Sequence, residues 1–175
     1  IDSTFSIQSV EKKPAKRTPS PPFTTATLQQ EASRKLGFSV SQTMTLAQKL
    51  YEAGFITYMR TDSISLSNEA ISNAKSFIST TYGPAYSFPR AYKTPSASAQ
   101  EAHEAIRPTQ FDKKYSGSDT REEKLYNLIR KRALASQMSD AKLERTTATI
   151  VNGTGDITFK SKGEVVQFDG FFSTD

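Results

Sequence analysis

The stretch Gly54-Phe55-Ile56-Thr57-Tyr58-Met59-Arg60-Thr61-Asp62-Ser63 puts a phenol, a guanidinium and a carboxylate within five residues, just after a helical pattern ends. Read as a strand over residues 55–61, its side chains alternate, so Ile56, Tyr58, Arg60 and Asp62 share one surface. A tyrosine hydroxyl titrates near ~10, so roughly one phenol in a thousand is ionised at neutral pH, and a nucleophilic tyrosine needs positive charge or a base beside it. Arg60 supplies a charge that does not titrate away. Two roles stay open to it. It can favour the phenolate, or it can grip a phosphate through paired hydrogen bonds and polarise phosphorus while leaving the phenol alone. Both suit phosphoryl chemistry, with Tyr58 and Arg60 as the catalytic pair and Asp62 orienting them. From spacing alone, a half-buried strand aromatic beside a solvated arginine is the commoner arrangement.

A second cluster, Glu101-Ala102-His103-Glu104-Ala105-Ile106-Arg107-Pro108, holds the one histidine of the chain. Flanking carboxylates favour the charged imidazole, which donates two hydrogen bonds and suits a phosphate oxygen or Asp62. Glu101, His103 and Glu104 imitate a metal site, but one histidine with two carboxylates so close in sequence is a poor donor set, and no metal site is expected here.

These runs carry a resemblance. Pro22-Phe23-Thr24-Thr25-Ala26-Thr27-Leu28-Gln29-Gln30-Glu31-Ala32, then Thr45 to Ser63 with its Leu50-Tyr51-Glu52-Ala53-Gly54-Phe55-Ile56-Thr57-Tyr58-Met59-Arg60-Thr61-Asp62-Ser63, then Glu101 to Pro108, resemble the central part of bacterial type IA DNA topoisomerases. The blocks stand in the family's order across residues 22–108. The resemblance implies that Tyr58 attacks a DNA phosphodiester and becomes linked to the 5′ phosphate. It implies that Arg60, His103 and Arg107 hold the DNA, with Asp62 and Glu104 in orienting roles. The same resemblance implies Mg2+ in the full-length enzyme, bound by an acidic cluster of a separate N-terminal domain. No matching acidic motif occurs in these 175 residues, so the chain alone is expected to cleave poorly or not at all. The implied partners are a single-stranded segment of negatively supercoiled DNA and the remaining domains of the same polypeptide, in the bacterial cytoplasm at the nucleoid. Two other readings stay open on the residues themselves: a non-catalytic winged-helix DNA-binding module, and a structural domain whose basic connector is incidental.

Composition sets outer bounds. A length of 175 residues with 35% hydrophobic content suffices for one sizeable domain or two small ones. The net charge of +5 favours a polyanionic partner without requiring one. Zero cysteines exclude a disulfide framework and a thiolate zinc site. No apolar run approaches the roughly 20 residues of a membrane helix, and no signal-peptide pattern opens the chain. It begins Ile-Asp-Ser without a methionine and ends Phe-Phe-Ser-Thr-Asp directly after a hydrophobic pattern, and so reads as a piece of a longer protein.

The elements that must position the two clusters follow from periodicity and caps. Residues 3–13 read as a strand leaving a core, with Phe5 and Ile7 alternating before the pattern slips at Val10. Pro14, Pro19, Pro21 and Pro22 make residues 12–22 a basic connector. A helix capped by Thr24 or Thr25 runs to Leu36 and stops at Gly37; a second, after Ser39 or Ser41, carries Met44, Ala47, Leu50 and Tyr51 at helical spacing and ends at Gly54. Helix, turn, helix, strand is a winged-helix layout. Ser65 or Ser67 caps a third helix with Ala70, Ile71, Ala74, Phe77 and Ile78 inward, closed by Gly83-Pro84. Residues 83–100 read as a long loop.

Asp119 with Glu122 forms a capping box for a helix over 120–138, burying Leu125, Leu128, Ile129 and Leu134, while Arg130, Lys131 and Arg132 complement its dipole. From Lys142 the period becomes two, Asn152-Gly153 marks a turn, and Ile157, Phe159, Val165, Val166 and Phe168 supply further strands. The expected fold is α+β: a mainly helical, winged-helix-like tyrosine domain over 23–139, inserted in a discontinuous antiparallel β unit of 1–22 and 140–175.

Overall fold

The computed structural model describes residues 4–94 and 103–174. In chain order the elements are β1 (Phe5–Arg17), α1 (Thr25–Leu36), α2 (Val40–Glu52), α3 (Asn68–Thr81), α4 (Thr120–Ser136), β2 (Ala141–Asn152) and β3 (Thr158–Phe168). By chain contacts they divide into two units, Ile1–Thr18 with Asp140–Ser173, and Pro19–Ser139 with Thr174–Asp175. The class is α+β, with four helices and one three-stranded antiparallel sheet among the described residues. None of these helices is long and apolar enough to cross a membrane.

In the helical unit each helix begins where a short polar side chain satisfies orphan backbone donors. Thr24 caps α1 in a reciprocal box with Thr27, whose hydroxyl accepts from the Thr24 N–H at 2.9 Å. Ser39 caps α2 and Ser67 caps α3, each accepting from the N–H three residues on. Gly37, at φ 69°, ends α1 in the left-handed region, and its N–H reaches the carbonyls of Ala32 and Ser33. The apolar stripes meet in one core of Phe23, Leu28, Leu46, Leu50, Leu125 and Ile129.

Two expectations change at α4. Asp119 does cap the helix, accepting from the Arg121 N–H at 2.8 Å, and the helix ends at Ser136. Glu122 does not close a box. It accepts from the Tyr115 hydroxyl at 2.6 Å and pairs with Lys49 at 3.7 Å, because both partners lie within reach on neighbouring segments. Arg130 and Arg132 tie down loops rather than complementing the dipole: their Nε atoms donate to the Phe111 carbonyl at 2.7 Å and the Pro21 carbonyl at 2.6 Å. The long loop expected after Gly83 is present as far as Thr94, and it is held down. Gln137, fully buried, accepts from the Arg90 N–H and donates to the Arg90 carbonyl, both at 3.0 Å. The rest of that loop, residues 95–100, lies outside the described residues.

In the other unit the strands run in the order β1-β2-β3, with Ile7 opposite Ile150 and Ile150 opposite Phe159. A bulge between Ile7 and Ser9 accounts for the slip in the sequence pattern, since one extra residue returns Val10 to the face of Ile7. Two expectations fail here. The strand continues through Pro14 to Arg17, because β1 is an edge strand and a missing N–H on its outer side is tolerated. Phe5 and Ile7 do not enter a core, being 52% and 66% exposed.

Leu28, with no exposed surface, and Ile7 therefore test the same chemistry in opposite settings. Leu28→Ala is expected to lower unfolding stability by about 2–5 kcal/mol. Ile7→Ala is expected to change it by about 0.5 kcal/mol or less. Urea denaturation of the two variants beside the parent chain measures both.

Candidate active site

Residues 55–61 do not form a strand. Their one sheet-like pairing is a bridge between Ile56 and Pro108, flanked by the Thr57 N–H on the Arg107 carbonyl and the Thr109 N–H on the Phe55 carbonyl, both at 2.9 Å. The physical reason is the spacing of the apolar anchors. Ile56 and Met59, each 1% exposed, lie three residues apart, and a straight strand would send one of them outward. The chain turns instead. Ile56 leaves the surface it was expected to share, while Tyr58, Arg60 and Asp62 remain exposed, Tyr58 at 44%.

The segment is fixed by hydrogen bonds borrowed from both other motif runs. Thr25, at the first turn of α1, donates its hydroxyl to the Met59 carbonyl at 2.7 Å and accepts from the Thr61 N–H at 2.8 Å. Its own N–H reaches the Thr61 carbonyl at 2.9 Å. Thr57 donates through its hydroxyl to the Ala105 carbonyl at 2.8 Å and accepts from the Arg107 N–H at 3.0 Å. The Ile106 N–H closes the arrangement on the Phe23 carbonyl at 2.8 Å. The runs at 23–25, 55–61 and 104–109 are thus one structural knot with Tyr58 at its surface.

Arg107 and Glu104 form a two-point pair, Nε to Oε2 at 2.5 Å and Nη2 to Oε1 at 3.1 Å, while Nη1 donates to the Pro108 carbonyl at 3.0 Å. Burial pushes the Glu104 carboxyl up, and the Arg107 hydrogen bonds and charge outweigh it, leaving the group below its usual range. His103 is exposed, and Glu101 lies outside the described residues. No hydrogen bond or ion pair joins Tyr58, Arg60 and Asp62 to one another among the described residues. Arg60 lines an open groove of about 490 Å³ with Ser41, Met44, Thr45, Gln48 and Lys49 of α2. Among the described residues no cluster of three or more histidines and carboxylates is placed to hold a metal ion.

Sequence reasoning missed Thr25, Thr57 and Tyr51. The two threonines sit inside the quoted motifs, but which hydroxyl clamps which carbonyl is set by contacts 34 to 50 residues apart in sequence. Tyr51 counted as part of the helical pattern of α2. It is 41% exposed, and its ring meets that of Tyr58 edge-on, with centroids 5.2 Å apart and planes at 63°.

Comparison with known proteins follows the same lines. The family described as DNA topoisomerase matches residues 1–175. A DNA topoisomerase 1 of Zymomonas mobilis is 54% identical over 173 residues, covering 97% of this chain and 14% of that protein. One from Synechocystis is 48% identical over 173 residues, covering 96% and 19%. The structure of full-length topoisomerase I from Thermotoga maritima superposes with a TM-score of 0.84 at 39% identity, covering 99% of this chain and 30% of that one. The chain spans 14% to 24% of the length of such curated relatives.

Two measurements probe the knot. Thr25→Val keeps the shape and removes the hydroxyl, leaving the Thr61 N–H without its partner. It is expected to destabilise the helical unit by about 1–3 kcal/mol and to raise amide exchange at Thr61. The Glu104 carboxyl, depressed when folded, contributes stability that is complete above its usual value of 4.5 and is lost as pH falls below it. Stability measured from pH 6 to pH 3 is therefore expected to fall more steeply in the parent chain than in Glu104→Gln.

Proposed function

The chain belongs to the bacterial type IA DNA topoisomerase family, and from that membership we propose that Tyr58 is the nucleophile of a transient single-strand break in DNA. The Tyr58 Oη attacks phosphorus, the new phosphotyrosine carries the 5′ phosphate, the P–O3′ bond breaks, and the proton lost by the phenol is made good on the departing 3′ oxygen. Religation reverses these steps without nucleotide energy. A strand passes through the protein-bridged gap, and negatively supercoiled DNA relaxes. The single observation that carries this reading is a tyrosine 44% exposed on a segment otherwise immobilised by the two neighbouring motif runs. A reactive hydroxyl must be reachable and its backbone must not wander.

Arg60 grips a nonbridging oxygen of the scissile phosphate from the groove along α2. Arg107 and His103 hold the adjacent DNA. The pair with Glu104 and the bond to Pro108 occupy three of the five guanidinium N–H groups of Arg107, which leaves two for a phosphate on a side chain 14% exposed. Glu104 orients Arg107, and Asp62 orients the bound strand. Mg2+ belongs to the full-length enzyme; no donor cluster for it occurs among the described residues, and no step above is routed through it. The helical part, residues 23–139, carries the reaction; the strand that a winged-helix layout needs after α2 is not formed at residues 55–61. The discontinuous β part, residues 1–22 and 140–175, is the β arch or connector unit, and the remaining domains of the polypeptide complete the enzyme around single-stranded DNA in the bacterial cytoplasm.

Tyr58→Phe in the full-length protein tests the assignment. Incubation with labelled single-stranded DNA followed by denaturation is expected to trap a covalent adduct with the parent and none with the variant. An adduct that survives in Tyr58→Phe removes Tyr58 from the reaction, and a parent that binds DNA without ever forming one is a non-catalytic winged-helix module.

A further inference from the structure

We propose that Tyr51 is a positioning residue for Tyr58: its ring holds the attacking phenol in one orientation. The assignment rests on Tyr58 being the nucleophile. Tyr58 is fixed at both neighbours, since Thr57 is bonded to Ala105 and Arg107, and Met59 is buried with its carbonyl on Thr25. The backbone therefore leaves the ring two freedoms, rotation about χ1 and χ2, and both move the hydroxyl at the far end of the side chain. At 44% exposure the phenol is only partly enclosed, so the groups that touch its ring select among its rotamers. Among the described residues the only ring that meets Tyr58 is Tyr51, at 5.2 Å and 63°. That geometry lies in the attractive edge-to-face range of aromatic pairs.

Tyr51 is itself well placed to act as a fixed wall. It stands in the last turn of α2, next to Leu50, which has no exposed surface. Directly after it the chain reverses: the Gly54 N–H bonds the Tyr51 carbonyl at 2.9 Å, the Phe55 N–H bonds the Leu50 carbonyl at 2.9 Å, and Gly54 adopts φ 79°. This turn carries the chain back so that residue 58 returns against residue 51, seven residues earlier. Both rings keep over two fifths of their surface exposed, so their contact removes little area from water. What it supplies is orientation. The contact is through the rings, with no hydrogen bond between the hydroxyls among the described residues, and phenylalanine at 51 retains it.

The test uses the full-length protein with Tyr51→Phe, Tyr51→Leu and Tyr51→Ala, a labelled single-stranded oligonucleotide, and single-turnover trapping of the covalent adduct beside equilibrium DNA binding. Tyr51→Phe is expected to react within about 2-fold of the parent. Leu and Ala are expected to slow adduct formation about 3- to 10-fold, with the dissociation constant changed by less than about 2-fold. Leu keeps bulk at the helix end, so it reports even if Ala disturbs folding, and thermal melting identifies that case. Leu reacting at the parental rate overturns the proposal. So does a parallel loss of rate and affinity, which makes Tyr51 a DNA contact, and so does failure of Phe to rescue. Tyr58→Phe in the same assay tests the premise separately: an adduct in that variant sinks the nucleophile assignment whatever Tyr51 does.

Discussion

Thr57 bonds to Ala105 and Arg107 through its backbone N–H and its hydroxyl, and it does so because residues 55–61 have no ladder of their own. A backbone that is neither helix nor strand must find partners for each polar group it buries, and an unsatisfied one costs about 1–3 kcal/mol. Here those partners come from two places far along the chain. Ala105 and Arg107 take one side of the segment, and Thr25 takes the other, at Met59 and Thr61. The helices matter to the site chiefly through this. Thr25 is held because α1 begins there under the Thr24 cap, and α1 is held because Leu28 and Ala32 are fully buried.

The alternation of burial along the segment follows from the same constraint. Ile56 and Met59 reach the core, and the residue between them that is left outside by the turn is Tyr58, with Thr57 used up as a clamp. An exposed side chain between two buried anchors is a loop residue positioned by a rigid scaffold. Had residues 55–61 been a regular strand, pairing would have fixed the backbone equally well. Met59 would then have shared a face with Thr57, and the core would have lost one of its anchors.

What could be read from the chain alone was whatever is local. The caps at Thr24, Ser39, Ser67 and Asp119, the stop at Gly37, and the later strands each depend on residues a few positions apart or on a plain period of two. The sequence does not show the turn through Tyr58, because Ile56 and Met59 break a period of two and the run is too short for their spacing of three to say more. Pro14 was read as a barrier because the edge position that makes it harmless belongs to the sheet, not to the sequence. Glu122 illustrates the remaining kind of miss. Its capping spacing was correct, and a tyrosine hydroxyl and a lysine from other segments outcompeted the local partner.

The positive charge around the site is distributed unevenly, and the distribution bears on what Arg60 does. Lys49 faces Glu122, Arg107 is gripped by Glu104, and Arg130 and Arg132 donate to carbonyls and lie over aromatic rings. Arg60 has no carboxylate within ion-pair distance among the described residues, although it lies two residues from Asp62. A guanidinium already matched by a carboxylate offers a phosphate less field than an unmatched one, because the two opposite charges largely cancel at the distance of the ligand. The other cations named are each engaged with a group of this chain, Arg107 within the knot itself. Arg60 alone of those named combines exposure, a groove and an unneutralised charge two residues from the phenol, which supports the gripping role proposed for it.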